Sequence, residues 1–142
     1  MERNLEAGHR HELELKLHPV IIIVLLMIPT TAVTLLLPKE RALDLFALLL
    51  FGIAAIYIGF AFADGNWTSV NIQSAAAVVF LIIAALGMWV SPLFLVAGYI
   101  GHGLWDYLHH IKIIKMRVVS WYPPFCVAYD WLVAALILFL IR

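Results

Sequence analysis

The amino-acid sequence predicts an all-α integral membrane protein, a bundle of about five transmembrane helices. Of the 142 residues, 65% are hydrophobic and 13% are charged, whereas a soluble domain is about 45–50% apolar and about 25% charged. The mean hydropathy is +1.01. Several apolar runs reach the roughly 20 residues that a helix needs to cross about 30 Å of hydrocarbon. Polar side chains are therefore too few to cover a surface that faces water, and the apolar runs are long enough to cross a membrane.

The chain is predicted to have two parts. Residues 1–18 mix acidic, basic and histidine side chains around no apolar core, so they lack the pattern of a cleavable signal peptide. We interpret them as an N-terminal interfacial segment. Residues 19–142 form a single transmembrane helical domain, whose first spanning helix must then direct insertion.

The first two helices are bounded by proline and glycine. A first helix is expected over about 19–37, because Pro19 suits the opening turn of a helix and Pro38 stops it. A second helix is expected over about 43–63 and ends before Gly65.

Prolines also mark the last two helices. A third helix over about 69–90 is followed by Pro92, which turns the chain into a fourth helix that ends near Ile111. Pro123 then starts a fifth helix that reaches Arg142.

Polar side chains inside these helices indicate a functional site, because a charge at the centre of a membrane helix costs about 2.5–3.5 kcal/mol. An up-and-down path brings the ends of the second and fourth helices, and the starts of the third and fifth, to the side of the N-terminus. The polar residues expected on that side are Asp64, Asn71, Gln73, His102, Asp106, His109, His110, Tyr122, Tyr129 and Asp130. They predict a polar cavity that opens toward one face and is closed beneath by apolar packing.

The fourth helix carries a set of metal-ligand side chains. His102, Asp106, His109 and His110 are spaced i, i+4, i+7 and i+8, which places them on one helix face. Imidazole with carboxylate suits zinc or non-haem iron, and the single cysteine, Cys126, excludes a thiolate-rich site. Adjacent histidines diverge around a helix, so only one of His109 and His110 is expected to share an ion with His102.

These residues lead to a functional prediction, a membrane-embedded metal-dependent hydrolase that acts on a lipid or another hydrophobic substrate. The expected catalytic residues are Asp130, Asp106 and Asp64, as ligand, general base or partner of an imidazole. The expected substrate contacts are Tyr99, Trp105, Asn71, Gln73, Tyr122 and Tyr129. No glycine-rich phosphate loop is visible, which disfavours phosphoryl transfer.

Other readings of the same residues stay open. A non-haem iron oxidoreductase would use the same ligands. A metal-free isomerase or cyclase of sterol-like or terpene-like substrates would use Asp106 and Asp130 as acids and aromatic faces to stabilise a cation. A carrier of protons, metal ions or lipids is a non-enzymatic alternative. His102 and Asp106 could also form a plain hydrogen-bonded pair that fixes helix packing.

Charge sets the expected partners and orientation. A formal net charge of zero argues against nucleic acid and leaves membrane lipids and a hydrophobic substrate as partners; a homo-oligomer is compatible with this composition. The N-terminal side of the predicted bundle has six basic residues and the opposite side has three. This difference favours a cytoplasmic N-terminus, in a bacterial inner membrane. The six are Arg3, Arg10, Lys16, Lys112, Lys115 and Arg117, and the three are Lys39, Arg41 and Arg142.

The last third of the chain carries a resemblance. The motif GHGLWDYLHH at 101–110, followed by WYPPFC at 121–126 and YD at 129–130, resembles a family of small bacterial membrane proteins without an assigned function. The combination of histidine, aspartate and serine in a helical bundle is also similar to membrane metal hydrolases of the alkaline ceramidase and adiponectin receptor type. That similarity implies zinc and amide hydrolysis, although this chain is shorter and lacks an HxxxH pair in its last helices.

Overall fold

The computed structural model describes residues 20–142, and within them the chain forms five helices and no strand. The predicted all-α class is confirmed. The helices are α1 (Val20–Leu36), α2 (Lys39–Asp64), α3 (Trp67–Trp89), α4 (Leu93–His110) and α5 (Tyr122–Ile141). The interfacial segment predicted over residues 1–18 lies outside the described residues.

The turn between α2 and α3 is set by two adjacent residues. Gly65 has a φ of 72°, and its N–H donates to the carbonyl oxygen of Phe62, as glycine commonly does at the end of a helix. Asn66 then caps α3, because its side chain accepts from the N–H of Thr68 at 3.0 Å. The two helices are thereby folded into an antiparallel hairpin.

Helix α2 begins four residues earlier than predicted, at Lys39 instead of Leu43. The prediction followed the apolar run, whereas the helix already starts in the charged turn that precedes it. Pro38 stands at the N-cap. Arg41 Nη1 lies 3.5 Å from Oδ2 of Asp44, which follows it three residues later. A charged first turn is compatible with a helix end that emerges from lipid into water.

Helix α4 is the centre of the bundle and packs against α2, α3 and α5. Close approach depends on glycine: a Cβ atom added to Gly98 would lie 2.6 Å from Leu50 Cδ2 and 2.8 Å from Ile83 Cγ2. Tyr99 is fully buried and donates from its hydroxyl to the carbonyl oxygen of Phe46 at 2.8 Å. These contacts fix the face that α4 turns toward the interior.

Three helices, α2, α3 and α5, are long and apolar enough to cross a membrane. Helix α1 is a shorter apolar helix, and α4 includes four polar ligand-type side chains. Large apolar side chains are exposed along the bundle, among them Leu48, Val78 and Phe139, which is typical of a surface in contact with lipid. The chain therefore has the character of a membrane protein.

The candidate site residues share one end of the bundle, formed by the C-termini of α2 and α4 and the N-termini of α3 and α5. We call it the polar end. The contacts that define it join α2 to α4, α3 to α4 and α4 to α5, through Tyr57–Asp106, Gln73–His109 and His102–Asp130.

Candidate metal centre

Three ligand-type side chains converge in the interior of the polar end: His102 and Asp106 from α4, and Asp130 from α5. Among the described residues they form a group whose ligand atoms all lie within 4.8 Å of one another. His102 Nδ1 is 2.6 Å from Asp130 Oδ2 and 3.1 Å from Asp106 Oδ2. We call these three residues the His–Asp–Asp cluster.

Local structure explains why the three meet. His102 and Asp106 are one helical turn apart and so lie on the same face of α4. Next to His102, Gly103 has no side chain, and a Cβ atom there would lie only 2.5 Å from Trp131 Nε1. Helix α5 can therefore approach α4 closely at this level, which brings Asp130, the neighbour of Trp131, against the imidazole.

Hydrogen bonds order two of the carboxylate oxygens. With the carboxylates ionised, His102 Nδ1–H donates to Asp130 Oδ2, since a carboxylate can only accept. Tyr57, from α2, donates its hydroxyl to Asp106 Oδ1 at 2.5 Å. A third helix thus holds the cluster in place.

Three ligand atoms of the cluster make no hydrogen bond among the described residues: His102 Nε2, Asp130 Oδ1 and Asp106 Oδ2, the last of which has only the ion-pair contact of 3.1 Å with His102 Nδ1. All three are buried, and a buried polar atom without a partner costs about 1–3 kcal/mol. Orphaned buried atoms of this kind are rare and call for an explanation such as a bound ion or water. Here the orphans are one imidazole nitrogen and two carboxylate oxygens, the donor types that zinc and iron accept.

The spacing of the cluster also suits a metal ion. Tetrahedral zinc with bonds of 2.0–2.2 Å separates neighbouring ligand atoms by about 3.3 Å. His102 Nδ1 lies 2.6 and 3.1 Å from the two carboxylates, so these distances would widen by less than 1 Å if a deprotonated Nδ1 bound the ion. The orphaned Nε2 would bind the same ion only after the imidazole ring turned over.

Charge favours a cation in the same place. Two carboxylates face one imidazole, and His102 is the only basic side chain that pairs with either of them among the described residues. With both acids ionised and the imidazole protonated, the cluster still has one excess negative charge. Burying an unpaired charge is very costly, so either a bound cation or an additional proton must compensate it.

His109 lies outside the cluster and belongs to a separate hydrogen-bond network. Its Nδ1–H donates to the carbonyl oxygen of Trp105 at 2.9 Å, and its Nε2 lies 2.9 Å from Gln73 Nε2. Gln73 Oε1 in turn accepts from Trp105 Nε1 at 3.1 Å. Both nitrogens of His109 are thereby occupied, which fixes a neutral imidazole whose Nε2 accepts from the Gln73 amide. Two expected substrate contacts, Gln73 and Trp105, are thus tied to His109.

The remaining predicted ligands and polar contacts lie at the surface of the polar end. His110 and Asn71 are exposed. Asp64 accepts from Arg117 Nε at 2.6 Å and is not a member of the His–Asp–Asp cluster. Sequence reasoning found no basic partner for this acid, because Arg117 lies in the linker between α4 and α5 and reaches back to the end of α2.

Three predicted tyrosine contacts pack around the cluster. Tyr99 is buried and bonded to the backbone of α2. Tyr129 is bonded through its hydroxyl to Thr30 Oγ1 at 2.8 Å, which ties α5 to α1. The ring centroids of Tyr122 and Tyr57 are 5.8 Å apart.

Sequence reasoning missed Tyr57, which contacts the cluster directly. It is the one hydroxyl-bearing side chain in α2, and it precedes Asp64 by seven residues, so that both lie on one face of the helix. Two signals in the sequence were available: this spacing, and the need of a tyrosine in the middle of an apolar run for a hydrogen-bond partner.

Aromatic rings enclose the cluster on several sides. The Phe80 ring meets the His102 imidazole edge to face with a centroid separation of 4.9 Å. The centroid of the Tyr57 ring lies 6.2 Å from that of the His102 imidazole and 4.4 Å from that of the His109 imidazole. The cluster side chains are at most 1% exposed, so bulk water does not contact them in this conformation.

A helical bundle of membrane character with a buried His–Asp–Asp cluster is the class of protein that the fold and the site define. The chain belongs to a family of unknown function, DUF6010, which matches residues 17–141. This agrees with the resemblance to a membrane protein family without an assigned function. No curated protein and no solved structure matches the chain, so the similarity to alkaline ceramidases and adiponectin receptors gains no support from these comparisons.

Proposed function

We propose that this protein is a membrane-embedded metal-dependent enzyme, a hydrolase of a lipid or another hydrophobic substrate, with the ion held by His102, Asp106 and Asp130. The observation that carries the proposal is the set of three orphaned ligand atoms, one on each residue, buried where no lysine or arginine within residues 20–142 pairs with the two acids. Zinc is the proposed ion, with non-haem iron as the alternative.

A bound zinc ion would polarise a carbonyl group and make water acidic enough to act as a nucleophile near neutral pH. The chain's own groups would prepare this chemistry. Tyr57 holds one oxygen of Asp106 in place through its hydroxyl. Asp130 accepts from His102 Nδ1–H through Oδ2, which leaves Oδ1 available as the ligand of the ion. The ring of Phe80 and the packed helices keep bulk water away.

Five membrane crossings and a polar end that faces the cytoplasm of a bacterium belong to the same proposal. The described residues hold three basic side chains at each end of the bundle, namely Lys112, Lys115 and Arg117 against Lys39, Arg41 and Arg142. The positive-inside preference therefore depends on Arg3, Arg10 and Lys16, which precede the described residues.

The test is the metal content of the detergent-purified protein, measured by inductively coupled plasma mass spectrometry. We expect about one zinc or iron per chain, loss of the metal in His102→Ala, and full retention in the matched variant His110→Ala, whose histidine is exposed on the same helix. Asp130→Asn, which preserves side-chain shape, provides a second loss variant if His102→Ala fails to fold. Wild-type protein without stoichiometric metal would overturn the proposal.

Metal content alone does not establish hydrolysis. Incubating the metal-loaded protein with a panel of ester- and amide-linked lipids, followed by mass spectrometry of the products, tests the reaction. We expect cleavage products that disappear on chelation and in His102→Ala. An oxygenated product that depends on bound iron would favour the oxidoreductase, and a metal-loaded protein that leaves every lipid intact would favour a carrier.

A metal-free isomerase or cyclase is the second candidate, and the aromatic enclosure of the cluster favours it. The Tyr57 hydroxyl bonds Asp106, the Phe80 ring packs against His102, and the Tyr122 ring packs against Tyr57. Aromatic faces stabilise a developing cation. In this case the wild-type protein would contain no metal, and Asp106→Asn would abolish a shift of a double bond in an added sterol or terpene.

A further inference from the structure

A second polar feature of the molecule is a cavity of about 430 Å³ at the polar end, outside the His–Asp–Asp cluster. It lies between the start of α3, the end of α4 and the linker that follows α4. We call it the linker cavity. It is lined by Asn66, Thr68, Ser69, Ile72, Gln73, Trp105, Leu108, Ile113, Ile114 and Lys115.

Ser69, one of the polar residues that line the linker cavity, is suited to contact an anion. Ser69 exposes only 6% of its surface, and its hydroxyl makes no hydrogen bond to another described side chain or backbone group. Ser69 also lies in the first turn of α3, where free N–H groups and the helix dipole favour negative charge. Asn66 satisfies only the N–H of Thr68.

Lys115 adds a positive charge to the lining of the cavity. It is exposed and forms no ion pair within residues 20–142. The nearby carboxylate of Asp64 is already paired with Arg117 at 2.6 Å, so it does not neutralise this lysine. The charge of Lys115 is therefore available to a ligand in the cavity.

The lining of the linker cavity also includes the apolar side chains Ile72, Leu108, Ile113 and Ile114. An inorganic anion would leave these side chains uncovered, whereas an amphiphile would contact both the polar and the apolar lining. The depth also fits a lipid headgroup. Trp67, at the start of α3, is 71% exposed, and exposed tryptophans at helix ends are typical of the membrane–water interface.

We propose that the linker cavity binds the headgroup of an anionic phospholipid. Its phosphate contacts Ser69 and Lys115, and its first acyl carbons cover the isoleucine and leucine side chains of the lining. This site does not depend on the metal of the His–Asp–Asp cluster. Its lining nevertheless includes Gln73 and Trp105, the two residues that bond His109.

Native mass spectrometry of the full chain in a non-ionic detergent tests the proposal, with added phosphatidylglycerol, phosphatidylcholine or inorganic phosphate. We expect one phosphatidylglycerol per chain, bound more tightly than phosphatidylcholine. Lys115→Gln should weaken that binding about fivefold, as is typical for one basic residue near an anionic lipid. Lys112→Gln is the matched control, because this lysine lies in the same linker but does not line the cavity, and we expect less than about a twofold change.

Three outcomes would overturn the proposal. Equal weakening by Lys115→Gln and Lys112→Gln would indicate general attraction to a basic surface. Equal binding of phosphatidylcholine would remove the role of the anionic charge. Displacement of the lipid by millimolar inorganic phosphate would indicate a site for a free anion. Metal content measured on the same samples keeps this result separate from that of the proposed enzyme, since the Lys115→Gln variant should retain its metal.

Discussion

At the scale of single residues, the helix period predicted His102 and Asp106 as a pair but could not distinguish His102 from His109. Both histidines lie on the buried face of α4, because spacing determines the direction of each Cβ atom. What separates them is the neighbouring helix. His102 meets a carboxylate of α5, and His109 meets an amide of α3. Such contacts depend on which helix packs on which side, and one sequence does not contain that information.

Tyr57 is the residue that we expect to control the geometry of Asp106. Its replacement in Tyr57→Phe removes the hydroxyl that donates to Oδ1, and groups that orient a metal ligand typically contribute 10- to 100-fold to metal affinity. We therefore expect metal affinity to fall by about 10-fold or more, measured by competition with a chromogenic chelator. The protein should also lose about 1–3 kcal/mol of unfolding free energy, since a buried carboxylate oxygen is left without a donor.

The matched control for this prediction is Tyr107→Phe. Tyr107 lies on α4 beside Asp106 and is 48% exposed, so removal of its hydroxyl should change neither metal affinity nor stability appreciably. Unaltered metal affinity in Tyr57→Phe would mean that Asp106 is held by its own packing, and that the tyrosine has no role in the site.

At the scale of secondary-structure elements, the central position of α4 depends on glycines at its contacts. Gly98 faces the side chains of Leu50 of α2 and Ile83 of α3, and because Leu50 is fully buried, a shift of its side chain would disturb the surrounding packing. Gly52 offers the matched comparison, because a Cβ atom there would have nothing within 4 Å. Both glycines are helical, so the intrinsic preference of a helix for alanine over glycine, about 0.5–1 kcal/mol, applies equally to each.

We therefore expect Gly98→Ala to be less stable than Gly52→Ala by about 1–3 kcal/mol, the usual cost of an extra carbon in a packed core. Unfolding in mixed micelles, followed by circular dichroism, measures the difference. If the two variants prove equally stable, the bundle tolerates a wider separation of α4 from its neighbours, and the close packing assigned to Gly98 is wrong.

At the scale of the whole molecule, proline and glycine punctuation predicted the five helices well. Pro38, Pro92 and Pro123 each stand within two residues of a helix start, and Gly65 closes α2. The composition likewise predicted the membrane character. The number of crossings was harder to predict, because α4 combines the length of a span with polar side chains that lower its hydropathy, and α1 has fewer residues than an average span.

Crossing of the membrane by α4 is the step on which the shared polar end depends, and labelling of introduced cysteines tests it. The native Cys126 is 97% buried, so we expect only the introduced cysteines to react with the maleimide. In sealed vesicles, a membrane-impermeant maleimide should react from one side with Thr68→Cys and Lys112→Cys, which stand at the polar end. It should react from the opposite side with Lys39→Cys and Val90→Cys, which stand at the start of α2 and the end of α3.

The physical reason for this pattern is that α3 and α4 run in opposite directions between the same two faces. Thr68 and Val90 lie at opposite ends of α3, and Lys112 follows the last turn of α4. If Lys112→Cys were labelled from the same side as Val90→Cys, α4 would lie along one face instead of crossing. His102 would then be at the interface, within reach of water, and the negative charge of the cluster would need no buried cation to balance it.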